Sequence, residues 1–264
     1  MFQTFDSAGD PTVGKPRVAR LRGQLAADGL DGFIVPRADE HQGEYVPDRA
    51  ARLKWLTGFS GSAGAAIVLK DRAIIFVDGR YQLQVRQETD PDVFAVESLI
   101  DNPPAAWLKE NLGRGARIGF DPWLHTISEA KALKASADSV GAELVPVQRN
   151  PVDAIWDDQP DPPLAPVEIH PEAFAGELAR DKLARLAAAI SKDGASHAVL
   201  TDPSSLAWAF NIRGNDVPHT PLALGFAILS GEGNHQLFMD GRKFSRTVAA
   251  YLTQLADLHE PSEF

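Results

Sequence analysis

The chain has 264 residues, about 1.8 times a typical ~150-residue domain, so two domains is the starting expectation. Its 26 basic and 36 acidic side chains leave a net charge of −10 without any block of like charge, a balance that disfavours nucleic acid as a partner. No apolar run approaches the ~20 residues of a membrane span, the N-terminus does not read as a signal peptide, and the lack of cysteine removes disulfides, thiolate metal sites and cysteine nucleophiles together, so a cytoplasmic location away from membranes is expected.

Taken in order, the first half alternates helix and strand signals. Val18, Leu21 and Leu25 recur at helical spacing, and Gly29 stops that helix. Gly32–Pro36 is a short apolar strand, and residues 49–57 read as a helix. Residues 65–69 and 73–77 are two buried strands joined by Lys70-Asp71-Arg72, a hairpin. A helix over 81–88, a strand at 93–96, a helix near 104–112 and a strand at 117–120 follow. Thr126-x-x-Glu129 is a capping box that opens the next helix, and 143–147 closes the series as a strand. Such alternation around one hairpin implies an α/β domain with a mixed sheet.

Between Pro160 and Pro171 lie five prolines among acidic residues, which reads as a semi-rigid linker. The expected domains are therefore 1–157 and 158–264. The second half repeats the opening of the first. A helix over 177–190 carries Leu183, Leu186 and Ile190, a strand spans 197–201, and Asp202-Pro203 caps and opens a helix. That helix holds Trp208 where the first copy holds Trp55. Strands at 225–229 and 236–239 mirror the earlier hairpin, and Asp240-Gly241-Arg242 echoes Asp78-Gly79-Arg80. The chain runs 70 residues from Arg80 to Asn150 but only 22 from Arg242 to its end. The strand, helix, strand, helix and strand that finish copy one are thus expected to have no counterpart. The second domain is read as truncated, with part of its sheet uncovered.

Chemistry is sparse. There is no HExxH helix, and the seven histidines are scattered without metal-ligand spacing. Asp39-Glu40-His41-Gln42-Gly43-Glu44-Tyr45 can hold a divalent cation or an ammonium group, or can be a self-bonded surface loop, and residue types favour the loop. Gly58–Gly64 precedes a strand and is neither a nucleophile elbow nor a dinucleotide fingerprint; its glycines serve a tight turn. Arg80, at a strand end, has a fork suited to a carboxylate or peptide carbonyl, against the plainer reading of a salt bridge to a nearby carboxylate. Residues 211–217 read as a polar loop.

Together, Phe33-Ile34-Val35-Pro36, Asp39-x-His41-x-x-Glu44-Tyr45, Gly58–Gly64, Asp78-Gly79-Arg80-Tyr81-x-x-Gln84, Asn150-Pro151-Val152-Asp153-x-Ile155-Trp156 and the stretch from Leu206 to Val217 resemble the Xaa-Pro aminopeptidase family in its three-domain form. The resemblance covers essentially the whole chain. It implies two tandem creatinase/prolidase N-terminal-like domains, each a mixed sheet covered by helices. In that family a third, pita-bread domain holds two divalent metal ions, usually manganese, on Asp, His and Glu ligands. None of those ligands is expected here, so the chain alone is expected to be inactive. The parent protein would be a metal-dependent aminopeptidase acting on peptides with proline at the second position, and this part would shape the cleft entrance and supply homodimer contacts. A stand-alone binding or oligomerisation module is the alternative. Carried over by motif, Arg80 and His41 are the substrate-side residues, with Glu44 and Tyr45 as supporting structure. Gly43 departs from the family, where Ser is common, and so removes a hydroxyl from that loop.

Overall fold

The computed structural model describes residues 9–264. They form two compact units: residues up to Glu40 together with Asp48–Pro160, and His41–Pro47 together with Asp161–Phe264. The division follows Pro160, and a short loop from the first half belongs to the second unit.

In the first unit, α1 (Gly14–Ala27), β1 (Gly32–Pro36), α2 (Arg52–Thr57), the hairpin β2 (Gly64–Leu69) and β3 (Ala73–Val77), α3 (Gln82–Glu88) and β4 (Phe94–Ser98) come first. Then follow α4 (Pro104–Asn111), β5 (Arg117–Phe120), α5 (Ile127–Ser139), β6 (Glu143–Pro146) and α6 (Pro151–Ile155). The six strands lie in the order β4-β3-β2-β1-β5-β6. The β1–β2 and β2–β3 pairs are antiparallel and the other three parallel. Every residue of β3 is at most 2% exposed, because the sheet is covered on both faces. Val18, Leu21 and Leu25 of α1 pack on one face with Trp55, Val152 and Trp156. Trp107 and Leu108 of α4 and Leu133 of α5 cover the other, against Ile67, Ile74 and Phe76. Each fully buried large apolar side chain contributes about 1.5–3 kcal/mol. The capping box at α5 forms as read: Thr126 Oγ1 accepts from Glu129 N, and Thr126 N donates to Glu129.

The second unit contains β7 (Glu168–Ile169), α7 (Glu172–Ala175), α8 (Ala179–Lys192), β8 (His197–Leu200), α9 (Pro203–Phe210) and β9 (Ile212–Arg213). It continues with β10 (Phe226–Ser230), β11 (Gln236–Phe238), α10 (Arg246–Leu252) and β12 (Asp257–His259). Its main sheet runs β12-β11-β10-β8, with β8–β10 and β10–β11 antiparallel and β11–β12 parallel. This reproduces β4-β3-β2-β1, sense for sense.

Two sequence expectations change here. Copy two does continue past its hairpin: α10 and β12 correspond to α3 and β4. What has no counterpart among the described residues is α4, β5, α5 and β6. The proline-rich stretch is also not a bare linker beyond Pro160. Val167 N donates to Lys243 O, Ala165 N to Asp216 Oδ1, and β7 pairs with β9. Asp216, read within a polar loop, is a buried hub. It meets Lys243 Nζ at 2.7 Å and also accepts from Leu224 N. Neither side chain of this pair is more than 5% exposed. Removing one partner would leave a buried charge uncompensated, a large penalty.

The two copies share three local devices. Arg17 and Lys182 each occupy the fourth position of a 14-residue helix. Each lies 4.6 Å over a tryptophan ring, Trp55 or Trp208. Each also donates to the backbone carbonyl of that same tryptophan. Three residues past each tryptophan, its own helix (α2 or α9) ends in a left-handed residue, Gly58 (φ 86°) or Asn211 (φ 48°). Asparagine tolerates that conformation, and here Asn211 Oδ1 also accepts from Lys182 Nζ at 2.7 Å. Finally, Gly64 and Gly225 face the carbonyls of Phe76 and Phe238, which a Cβ would meet at 2.8 Å in both copies.

That close approach to backbone cannot relax cheaply. Gly64→Ala and Gly225→Ala should each destabilise by about 2 kcal/mol, read as a lowered urea midpoint; a change within about 0.5 kcal/mol at both sites would contradict the shared packing.

Candidate functional site

Three consecutive residues at the end of β3 build the strongest constellation. Asp78 accepts from Arg80 N at 2.9 Å, which caps the 3-10 turn Gly79–Tyr81. Its carboxylate also clamps the Arg80 side chain, with Nη2 at 2.7 Å and Nε at 3.1 and 3.2 Å. The guanidinium remains about two-thirds exposed and lies 5.1 Å over the Tyr81 ring. Arg80 therefore makes the local salt bridge that its neighbourhood suggested, and keeps an exposed, oriented fork.

The glycine-rich loop supports this element from behind. Ser62 Oγ and Tyr81 Oη are 2.8 Å apart, and hydrogen bonding from Ser62 holds the Tyr81 phenol below its ordinary pKa. Phe59 meets the Tyr81 ring edge-on at 5.6 Å. Glu88, 1% exposed, accepts from Ser60 N, Ser60 Oγ and Gln84 Nε2. A Cβ on Gly61 would strike the Phe59 ring at 2.2 Å, so the loop can pack only with glycine there. These contacts make Gly58–Gly64 a structural brace for α3 and the Asp-Gly-Arg turn.

The same clamp recurs in the second unit. Asp240 accepts from Arg242 N at 2.9 Å and holds Arg242 Nη2 at 2.6 Å and Nε at 3.0 Å. Hydrogen bonding from Arg242 lowers the Asp240 carboxyl to about 2, and that from Arg80 lowers Asp78 in the same direction.

His41 sits elsewhere. In the second unit its ring stacks on Phe226 at 4.6 Å, its Nδ1 lies 3.0 Å from Thr201 O, and it is only 9% exposed. Phe264 stacks on Phe226 at 4.5 Å. Tyr45, from the same motif, is 60% exposed, while Asp39 is buried. Thus Arg80 and His41 belong to different units. Among the described residues, no group of three His, Asp or Glu side chains can hold a metal ion, so these residues do not fit a divalent-metal centre. Among them, too, no helix is long and apolar enough to cross a membrane.

Both units are thus α/β domains built on one mixed-sheet plan and joined in tandem. Residues 17–155 and 158–264 each match the Creatinase/Prolidase N-terminal domain, and the chain belongs to that family. It is 35% identical over 241 residues to a probable Xaa-Pro aminopeptidase P of Neosartorya fischeri, covering 90% of this chain and 37% of that protein. It is 36% identical to an aminopeptidase P1 of Lotus japonicus, covering 90% and 36%. A crystal structure of X-prolyl aminopeptidase from Caenorhabditis elegans, described as a cytosolic enzyme with a di-nuclear active site, superposes with TM-score 0.89. That match has 26% identity and covers 95% of this chain and 43% of the other. The chain therefore spans little more than a third of the length of these curated relatives.

The clamp gives a signed pH dependence. A carboxylate whose folded pKa lies below its unfolded value of about 4 stabilises the fold above that pH. The contribution is lost as pH falls through the folded value, about 2 for Asp240. Asp240→Asn keeps the cap but loses the charged pairing with Arg242, and should lower stability near neutral pH by about 1 kcal/mol; the gap from the unsubstituted chain should close between about pH 4 and about pH 2. Urea unfolding across that range checks this, and a gap that persists undiminished at the acid end contradicts it.

Proposed function

We propose that this chain is the N-terminal, non-catalytic part of a metal-dependent Xaa-Pro aminopeptidase, a cytoplasmic hydrolase that removes the residue preceding proline from a peptide. The tandem family match, with Xaa-Pro aminopeptidase relatives aligned over 90% of the chain, carries this reading. An Xaa-Pro bond is a tertiary amide without an N–H, flanked by a ring that fixes φ, so its cleavage calls for a dedicated site. The two divalent ions that activate water, manganese by family resemblance, would be held by polypeptide outside these units. The N-terminal units would narrow the entrance to the cleft and supply contacts for a homodimer.

Within that role Arg80 is the substrate-side residue. Its clamp to Asp78 fixes the direction of the fork in advance, so less side-chain entropy is lost when a peptide carbonyl or carboxylate docks. His41, whose ring face is stacked and whose Nδ1 meets a backbone carbonyl, would act on the substrate side only by positioning the Gln42–Tyr45 loop.

Two measurements test this. The purified 264-residue chain should release no residue from Xaa-Pro peptides, and chelator-sensitive cleavage by it would overturn the assignment. In the complete enzyme, Arg80→Ala should raise KM about tenfold with unchanged metal content; unaltered kinetics would remove Arg80 from the site.

A further inference from the structure

A cavity of about 410 Å3 opens on the first unit, within the size range of small-molecule sites. Trp55 and Trp156, stacked at 5.1 Å and 17°, form part of its wall, with Arg17, Lys54, Asp10 and Asp48 around them. The lining thus carries two positive and two negative groups. A simple anion or a simple cation would meet repulsion as well as attraction there, whereas a neutral molecule bearing both charges would not.

The hydrogen bonding sharpens that choice. The Asp10 carboxylate is already committed, accepting from Thr12 N at 2.9 Å and Thr12 Oγ1 at 2.6 Å. Arg17 uses one N–H on the Trp55 carbonyl. Among the described residues, the side chains of Asp48 and Lys54 make no ion pair or hydrogen bond. Trp55 is 8% exposed, and its indole Nε1 is buried without an acceptor. That N–H is sealed within the wall, so the indole offers the cavity its ring and not its donor. The unspent groups are therefore the rest of the Arg17 fork, an ammonium and one carboxylate.

We propose that this cavity binds a small zwitterion of amino-acid or dipeptide size. Its carboxylate accepts from Lys54 and Arg17, and its ammonium donates to Asp48. The stacked indoles supply the apolar wall and a built-in optical reporter. The proposal is independent of the aminopeptidase reading, since it concerns only binding by these residues.

The test titrates the whole 264-residue chain with alanylproline, following indole fluorescence and heat in parallel. Saturable binding is expected. Blocking the amine (N-acetyl-alanylproline) or the carboxylate (alanylproline amide) should each weaken it at least ~10-fold. Asp48→Asn and Lys54→Gln should do the same at an unchanged melting temperature, and Asp48→Asn should leave the residual binding of the N-acetylated probe unaltered, because that contact is already absent. No saturable signal up to about 10 mM, or binding indifferent to both substitutions and both blocked probes, overturns the proposal.

Discussion

In each half of this protein a cation leaves the first helix, lies on a tryptophan and donates to that tryptophan's own carbonyl. The contact joins the element before the first strand to the element after it. It thereby fixes how two helices sit on one face of the sheet. A cation over an indole gains most when desolvated. Lys182 is 2% exposed, and burial pushes its pKa down, yet carbonyl oxygens and the Trp208 ring satisfy it without a carboxylate in contact. The left-handed residue three positions later then turns the chain out of the helix, and the facing glycine lets the hairpin approach. The Asp-Gly-Arg turn leads each copy out of its second hairpin strand toward the next helix.

The copies differ in what covers these shared parts. Trp156 stacks on Trp55, so the first indole is buried, while Trp208 is 44% exposed. In the first unit α4 and α5 seal the second face of the sheet. In the second unit the corresponding face carries Phe226 and Phe238, with Phe264 packed on both. Among the described residues, neither copy brings three His, Asp or Glu side chains together where a metal ion could sit. Their arginines are clamped by the preceding aspartates and stay about two-thirds exposed.

Much of the frame was legible in the sequence because the physics acting there is local. The caps at Thr126 and Asp202 are each decided within three residues. The β2–β3 hairpin announces itself because both its faces are apolar. The repeat was visible through Trp55 and Trp208 and through the two Asp-Gly-Arg triplets. What could not be read depends on pairs distant in sequence. Asp216 and Lys243 are 27 residues apart, and only folding shows that they share a buried site. His41 finds Phe226 across most of the chain. The strands β7 and β9 have two residues each, too few for any periodicity, and the short edge strand β12 has three, in the stretch after Arg242 where no further strand was expected. Arg80's clamp was visible as a possibility in its neighbours, but its exposure was not.

The claim that one cation-on-tryptophan staple organises both units is tested most directly by paired double-mutant cycles. Arg17→Met with Trp55→Leu probes the first unit, and Lys182→Met with Trp208→Leu the second, each read by urea unfolding. The account predicts a favourable coupling of about 1 kcal/mol or more in both units. Coupling indistinguishable from zero in either one would contradict it.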